Sequence, residues 1–398
     1  VSDATARVDP KELDAWRQEV RGWLRDNIPD WWRDEFAATP FEIPERCFNR
    51  TREWQGALFE AGFMGITWPV EYGGRGLTPL HDLVRAEEFA AAGTLPYANE
   101  IGLKLLGPAL LEFGTEAQKE RFLARILSAE DIWCQGYSEP GAGSDLAGLS
   151  TRAERVGDEY IVSGSKIWTT YARQADWIFC LVRTDPEVRK QAGLGFLLID
   201  MKSAGIDVAP IVNITTDVDF YQVFFDEVHV PAANLVGEAT QGWTVANHVL
   251  AHERSGNLAI LRYAGFLDDI AARARLTRRG GKPLADDPMF RQRFARCRID
   301  FEVLRQQVIE SVDALRVGRK SGRASSLAKL QTSELDQKIS RLANEAQGLA
   351  SELWLEGGLD RGIWQWRELW SRAYTIFAGS SEIQRNIIAE RVLGLPRR

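Results

Sequence analysis

The sequence is poor in sulfur and in imidazole. Its four cysteines, Cys47, Cys134, Cys180 and Cys297, stand far apart and form no C-x-x-C pair. That spacing excludes a zinc ribbon and a disulfide scaffold, and leaves thiols suited to a reducing cytoplasm. Histidine occurs only at His81, His229, His248 and His252. The last two are spaced i, i+4 and adjoin Glu253, yet H-x-x-x-H-E is neither H-E-x-x-H nor H-x-x-E-H, so no metal is expected. No G-x-S-x-G is present, which removes the commonest serine-hydrolase signal. No apolar run approaches the roughly 18 residues of a membrane span, and V-S-D-A-T-A-R-V-D-P at the start lacks the basic-then-apolar order of a secretory signal. The expectation is a cytoplasmic protein without a membrane partner.

An excess of positive charge is also missing. The 49 basic and 56 acidic side chains give a net charge of -7, which gives no support for a nucleic-acid partner. With 398 residues, 45% hydrophobic and 26% charged, the chain reads as an ordinary globular protein of two or three domains.

Three compositional zones follow one another. In K-E-L-D-A-W-R-Q-E-V-R-G-W-L, Leu13, Trp16, Val20, Trp23 and Leu24 recur at helical spacing, and residues 1–130 read as a helical domain broken by loop at 65–77. Residues 131–240 read as a β domain, barrel or sandwich: short runs such as D-W-I-F-C-L-V-R and G-F-L-L-I-D-M are rich in β-branched and aromatic residues and separated by turn signals. Residues 241–398 return to long helices, interrupted at R-R-G-G-K-P-L-A-D-D-P and L-E-G-G-L-D-R-G. The fold class expected is α+β multidomain: helical, β, helical.

Several stretches carry chemistry. Q-G-Y-S-E-P-G-A-G-S-D-L-A-G-L (135–149) has a strand ending at Ser138, stopped by Pro140, with glycines that let backbone pass close to a ligand and Ser144 or Asp145 to cap the next turn. It matches neither G-x-G-x-x-G nor G-x-x-x-x-G-K-[ST], so it is either a loop offering N–H groups and hydroxyls to a ring or anion, or a surface turn. S-K-I-W-T-T (165–170) puts Trp168 and Thr170 on one side of a strand by its period of two, which suits a planar heterocycle or ordinary packing. Over residues 242–265 a single helix is expected, with an apolar stripe of Ala246, Val249, Leu250, Ile260, Leu261 and Ala264. Glu253 interrupts that stripe, with Asn257 one turn later. A carboxylate there is either a general base with a raised pKa or one half of a buried ion pair.

Taken in order, W-P-V-E-Y-G-G-R-G, Y-S-E-P-G-A-G-S-D, K-I-W-T-T, F-F-D-E-V-H-V-P, L-V-G-E-A-T-Q-G-W, H-E-R and S-S-E-I-Q-R-N-I-I-A-E-R-V-L-G resemble the acyl-CoA dehydrogenase family, FAD enzymes that introduce a trans double bond between Cα and Cβ of an acyl-CoA thioester. The resemblance covers almost the whole chain. It implies an N-terminal helical domain, a central β-barrel-like domain and a C-terminal four-helix bundle. It also implies that Tyr137, Ser138, Trp168 and Thr170 border the flavin ring, that Ser380 and Glu382 face its ribityl and phosphate side, and that Ser144, Arg254 and Gly379 meet the substrate, Ser144 at its CoA part. Arg278 and the stretch Trp354 to Gly358, with Gly357, complete the FAD site of a neighbouring subunit in a homodimer or homotetramer. Electrons pass on to an electron-transfer flavoprotein.

One departure redirects the search. In T-I-F-A-G-S-S-E-I-Q-R-N (375–386), Ala378 stands where many members of that family carry the catalytic Glu. The resemblance then implies the isovaleryl-type and bacterial subgroup, with Glu253 as base, while the backbone N–H of Ala378 binds the thioester oxygen. Ser381 to Gln384 reads as a capping box for the final helix. Two alternatives are a partner subunit of a hetero-oligomeric dehydrogenase with reduced activity of its own, and a flavin oxidase or monooxygenase on the same fold.

Overall fold

The computed structural model describes residues 8–32, 47–94, 97–188, 190–254, 258–316, 324–354 and 357–396. In chain order its elements begin with helices α1 (Pro10–Asn27), α2 (Phe48–Glu60), α3 (Pro79–Ala91), α4 (Gly107–Phe113) and α5 (Glu116–Ser128). Strands β1 (Trp133–Gly136), β2 (Arg152–Val156), β3 (Glu159–Thr170), β4 (Trp177–Arg183), β5 (Leu194–Asp200), β6 (Ile206–Ile211) and β7 (Phe220–Pro231) follow. Helices α6 (Gly242–Arg254) and α7 (Tyr263–Leu276) lead to a hairpin of β8 (Arg278–Arg279) and β9 (Lys282–Pro283). The chain finishes with α8 (Pro288–Arg316), α9 (Ala324–Gln347), α10 (Ile363–Tyr374) and α11 (Ser381–Ile387). The order is helical, β, helical, as the zoning and the resemblance implied.

By their contacts these elements form two units, Glu45–Gly76 with Tyr97–Glu253, and Val1–Pro44 with Leu77–Pro96 and Arg254–Arg398. The N-terminal helices are therefore shared out: α2, α4 and α5 go with the sheet, α1 and α3 with the C-terminal helices.

In the first unit one seven-stranded sheet runs β1-β4-β2-β3-β7-β6, with β5 beside β4. Strands β4 and β5 are buried on both faces over almost their whole length, which is why they read as unbroken apolar runs. β7 has the alternation of a strand with one wet face. Asn99, itself buried, ties the helices to β1: its side chain donates to Ile126 O (3.0 Å) and Asp131 O (2.8 Å) and accepts from Trp133 N (3.0 Å). A capping box of Thr115 and Gln118 starts α5, and Gln118 Nε2 reaches on to Ala233 O and Leu235 O at 2.8 and 2.9 Å.

In the second unit Asp9 caps α1, and Trp16, Val20 and Leu24 form its buried face, the spacing of four that the sequence shows. Trp16 Nε1 donates to His81 O at 2.9 Å, holding α1 to α3. The main core lies among α7, α8, α9 and α10, around Leu267, Ile270, Phe301, Leu304 and Ile339. A buried polar knot crosses it: Tyr263 Oη donates to Asp336 Oδ1 at 2.7 Å, and Arg367 pairs with the same oxygen. Burial, with Asp336 adding to it, pushes the Tyr263 phenol well above its ordinary value, so the phenol remains a donor. Because Asp336 sits on α9 and Arg367 on α10, the knot fixes the helix from whose end residues 375–380 emerge.

The sequence expectation of one helix over 242–265 is overturned. The described residues form α6, ending at Arg254, then a 3-10 helix Leu258–Arg262, then α7. A helical stripe thus runs from Val245, Ala246 and Val249, all fully buried, only as far as Arg254, and Asn257 lies outside the described residues. The break at 278–288 proves to be a hairpin whose Gly280 and Gly281 both have positive φ, 57° and 80°, the requirement of a type I′ turn.

Removing Asp336 leaves the Arg367 charge buried. Asp336→Ala is expected to destabilise by about 3–5 kcal/mol, while pairing Asp336→Leu with Arg367→Met recovers most of that loss, both read from urea unfolding midpoints.

Candidate active site

The β unit brings four of the expected residues together. Ile167 N donates to Ser138 O at 2.9 Å, so the loop after β1 runs alongside the end of β3 where Trp168 and Thr170 stand. Trp168 is 56% exposed although its ring meets Phe220 edge-on at 6.0 Å. A large indole so open is a ready surface for a flat ring. The straight period-two argument does not hold through this point. The β3–β7 register shifts between Lys166 and Thr169, and Trp168 takes a left-handed φ of 61°. Even so, burial still separates Thr169, which is fully buried, from Trp168 and the half-buried Thr170. The Tyr137 ring turns inward, edge-on to Phe179 at 5.9 Å and Phe196 at 6.3 Å. Ser144 is exposed further along the same loop.

Two residues that the sequence reading passed over hold this arrangement. Lys166, with no exposed surface, donates to Glu139 Oε1 at 2.8 Å and to Tyr137 O at 3.2 Å. Glu139, 6% exposed, also accepts from Ser150 N (2.6 Å), Ser150 Oγ (2.8 Å) and Thr151 N (2.9 Å). Desolvation by burial works to raise the Glu139 carboxyl, but the Lys166 charge and the donated hydrogen bonds outweigh it and hold it at about 2. The sequence shows an acid in Y-S-E-P and a base in S-K-I-W, but nothing local to either stretch sets one against the other.

The helical unit contributes one turn. Ala378 and Gly379 follow α10 in left-handed conformation, with φ of 53° and 84°. For alanine this costs about 1–2 kcal/mol, so surrounding contacts must enforce it. Gln384 Nε2 donates to Ala378 O at 2.9 Å and Gly379 O at 3.3 Å. Lys329 Nζ donates to Tyr374 O at 2.9 Å and Gly379 O at 2.8 Å. A Cβ on Gly379 would come within 2.5 Å of Gln384 Nε2, so glycine is required there. The capping box expected from Ser381 to Gln384 is corrected: Ser380 is the N-cap and accepts from Ile383 N at 3.3 Å, because Gln384 is committed to the turn. Glu382 is exposed in the first turn of α11, its carboxyl lowered by hydrogen bonds from its own N–H and from Ser380.

A third locus is a cleft of about 420 Å³ lined by Arg278, Arg279, Leu284, Glu345 and Gly348. The hairpin separates its two arginines by task. Arg279 pairs with Asp287 at 3.3 Å and Glu345 at 3.2 Å, whereas Arg278 is exposed and has no ion pair among the described residues. Trp354 and Gly357 are exposed, Gly358 is half-buried, and none of the three lines this cleft. The side chains of Glu253 and Arg254 lie outside the described residues; their backbone forms the last turn of α6.

His248 and His252 lie with ring centroids 4.3 Å apart, and Phe113 meets His248 edge-on. Among the described residues no group of three or more His, Cys, Asp or Glu side chains is placed to hold a metal ion, and no helix is long and apolar enough to cross a membrane.

Three family profiles match in succession: the N-terminal domain of acyl-CoA dehydrogenase over residues 10–130, its middle domain over 134–228 and its C-terminal domain over 240–393. This chain belongs to the acyl-CoA dehydrogenase family. Like other acyl-CoA dehydrogenases it is an oxidoreductase with FAD as cofactor. It is 39% identical over 402 residues to the acyl-CoA dehydrogenase IpdE1 of Mycolicibacterium smegmatis, covering 97% of this chain and 98% of that protein. The IpdE1 of Mycobacterium tuberculosis is also 39% identical, over 97% of this chain and 99% of that one. Among solved structures, the Tcur3481-Tcur3483 steroid ACAD superposes with a TM-score of 0.84 at 30% identity, covering 100% of both chains. The ChsE4-ChsE5 complex of Mycobacterium tuberculosis gives 0.84 at 31%, over 98% of this chain and 99% of that one. The β unit's residues suit a flat cofactor ring: an open Trp168 indole, a half-buried Thr170 on the same strand, and Ser138 held to that strand through Ile167 N.

The Lys166–Glu139 pair carries a pH signature. With its native pKa held below the ordinary 4.5, Glu139 contributes stability that is complete above that value and lost as pH falls toward about 2. Glu139→Gln is therefore expected to cost about 3 kcal/mol at pH 7, and the gap to wild type should shrink by about 1.4 kcal/mol per pH unit below 4.5. Urea midpoints from neutral pH down to about 3.5 check this.

Proposed function

We propose that this chain catalyses the α,β-dehydrogenation of an acyl-CoA thioester to the trans-2-enoyl-CoA, with Glu253 taking the α-proton. The observation that carries the reading is the turn at Ala378. It offers a methyl group where many family members place the base, and its N–H has no partner among the described residues. The turn thus provides a donor and no proton acceptor. A carboxylate cannot take an α-proton from an unassisted thioester at a useful rate, and one well-placed donor on the oxygen is worth about 10²–10³ in rate. The acceptor then comes from α6, where Glu253 follows the buried residues Val245, Ala246 and Val249.

FAD, when bound, supplies the hydride-accepting N5. Trp168 flanks its ring, Thr170 and Ser138 hydrogen-bond its edge beside Tyr137, and Ser380 and Glu382 face its ribityl and phosphate side. Arg278, Trp354, Gly357 and Gly358 serve the cofactor of a neighbouring copy. Ser144, Arg254 and Gly379 meet the substrate.

For the acyl group, a polycyclic, steroid-derived thioester is favoured. The support is the likeness to a steroid ACAD over the full chain and the small side chain at Ala378. Assembly beyond one chain is favoured by exposed Leu276, Leu349 and Ile376, each more than two-thirds open. Both solved relatives pair two different chains, Tcur3481 with Tcur3483 and ChsE4 with ChsE5, which supports a hetero-oligomer over a homodimer or homotetramer. The electron acceptor in this reading is an electron-transfer flavoprotein.

Glu253→Gln is expected to keep its yellow FAD and to lose anaerobic bleaching by acyl-CoA by a factor of about 10³ or more; undiminished bleaching sinks the assignment. Multi-angle scattering of the chain alone and co-expressed with a candidate second chain tests assembly. A chain that is yellow, tetrameric and active by itself removes the hetero-oligomer.

A further inference from the structure

The carbonyls on either side of Ala378 are held by long side chains. Gln384 takes the carbonyls of Ala378 and Gly379, and Lys329 takes those of Gly379 and Tyr374. Ser381 N closes the loop onto Thr375 O at 3.0 Å, and Gln337 Nε2 holds Thr375 Oγ1 at 3.2 Å. In a trans peptide the C=O and N–H point opposite ways. Donors that fix the carbonyls of Ala378 and Gly379 therefore turn the N–H groups of Gly379 and Ser380 to the other face. They also hold the left-handed φ of Ala378, which sets the direction of its own N–H. Gln384 is fully buried, and among the described residues its side-chain nitrogen donates to these two carbonyls alone, Ser380 being the N-cap of α11.

We propose that Lys329 and Gln384 are positioning residues for the dehydrogenation: they clamp the carbonyl side of the 375–380 turn and thereby aim the Ala378 N–H at the thioester oxygen. The proposal rests on the reading of Ala378 as the thioester donor. Neither side chain touches the reacting atoms, and each acts through the backbone it holds.

The test uses the holoenzyme, with Lys329→Met and Gln384→Met as separate variants and Lys329→Arg as the conservative replacement. Readouts are FAD content, the rate of anaerobic flavin reduction by an acyl-CoA that reduces the wild type, the dissociation constant of that thioester, and the carbonyl stretch of its ¹³C-labelled form when bound. Amide hydrogen exchange over 375–380 is measured without substrate. Both Met variants are expected to retain FAD and bind the thioester within about twofold. They should reduce flavin about 10- to 100-fold more slowly, with the carbonyl stretch moved toward its free value and faster exchange in the turn. Lys329→Arg, which can still donate to two carbonyls, is expected to restore most of the rate. Should either Met variant fail to fold, the other together with Lys329→Arg carries the comparison. Wild-type rates and an unmoved carbonyl stretch in both Met variants overturn the positioning role and leave the site reading intact. A wild-type holoenzyme that no acyl-CoA bleaches overturns the site reading and this role with it, whatever the exchange data give.

Discussion

A fully buried ammonium joined to a nearly buried carboxylate is the constraint on which the β unit's face depends. Lys166 and Glu139 lie between the two stretches that present Ser138 on one side and Trp168 and Thr170 on the other. An ion pair that deep yields little net stability against its desolvation, and apolar residues of the same volume often do as well. What apolar residues cannot do is donate to Tyr137 O and accept from Ser150 and Thr151 at the same time. The pair fixes the path of a loop whose Gly141 and Gly143 have no side chains to pack.

The helical unit handles a similar difficulty with neutral backbone. Its turn at Ala378 and Gly379 is disfavoured locally, and its enforcement passes from the Asp336–Arg367 knot, through the placement of α9 and α10, to Lys329 and Gln384. In each unit an irregular segment is held by a long side chain reaching back from regular structure, Lys166 from β3 and Lys329 from α9. A charge or amide that donates to two carbonyls fixes a peptide plane more firmly than one hydrogen bond can.

Much of this was legible in the sequence, and what was not has identifiable causes. The zones were plain because helical and strand periods differ, and α1 shows the spacing of four that its buried face uses. Ser138, Trp168 and Thr170 were named from a turn signal, a strand period and the family resemblance, and the period itself fails at Trp168, where a left-handed residue breaks the alternation. The pairing of Lys166 with Glu139 was not legible, since it depends on the register that sets Ile167 against Ser138. The helix over 242–265 was misjudged because composition favours helix on both sides of Arg254 and nothing in the period marks the stop. The cap of α11 was misplaced by one residue because S-S offers two equivalent hydroxyls, and only the demand of the turn on Gln384 chooses between them.

The division of the N-terminal helices between two units also orders events in time. On the ribosome α1 and α3 are made early, yet in the finished fold their unit includes chain from Arg254 onward. Helix α1 can pack on α3 as soon as both exist, but the partners of α3 in the 3-10 helix Leu258–Arg262 and in α8 come much later, while α2, α4 and α5 belong with the sheet that follows them directly. Helix α3, synthesised early, is thus completed only after more than 160 further residues have been made, so its packing waits on the length of the chain and not on its own sequence.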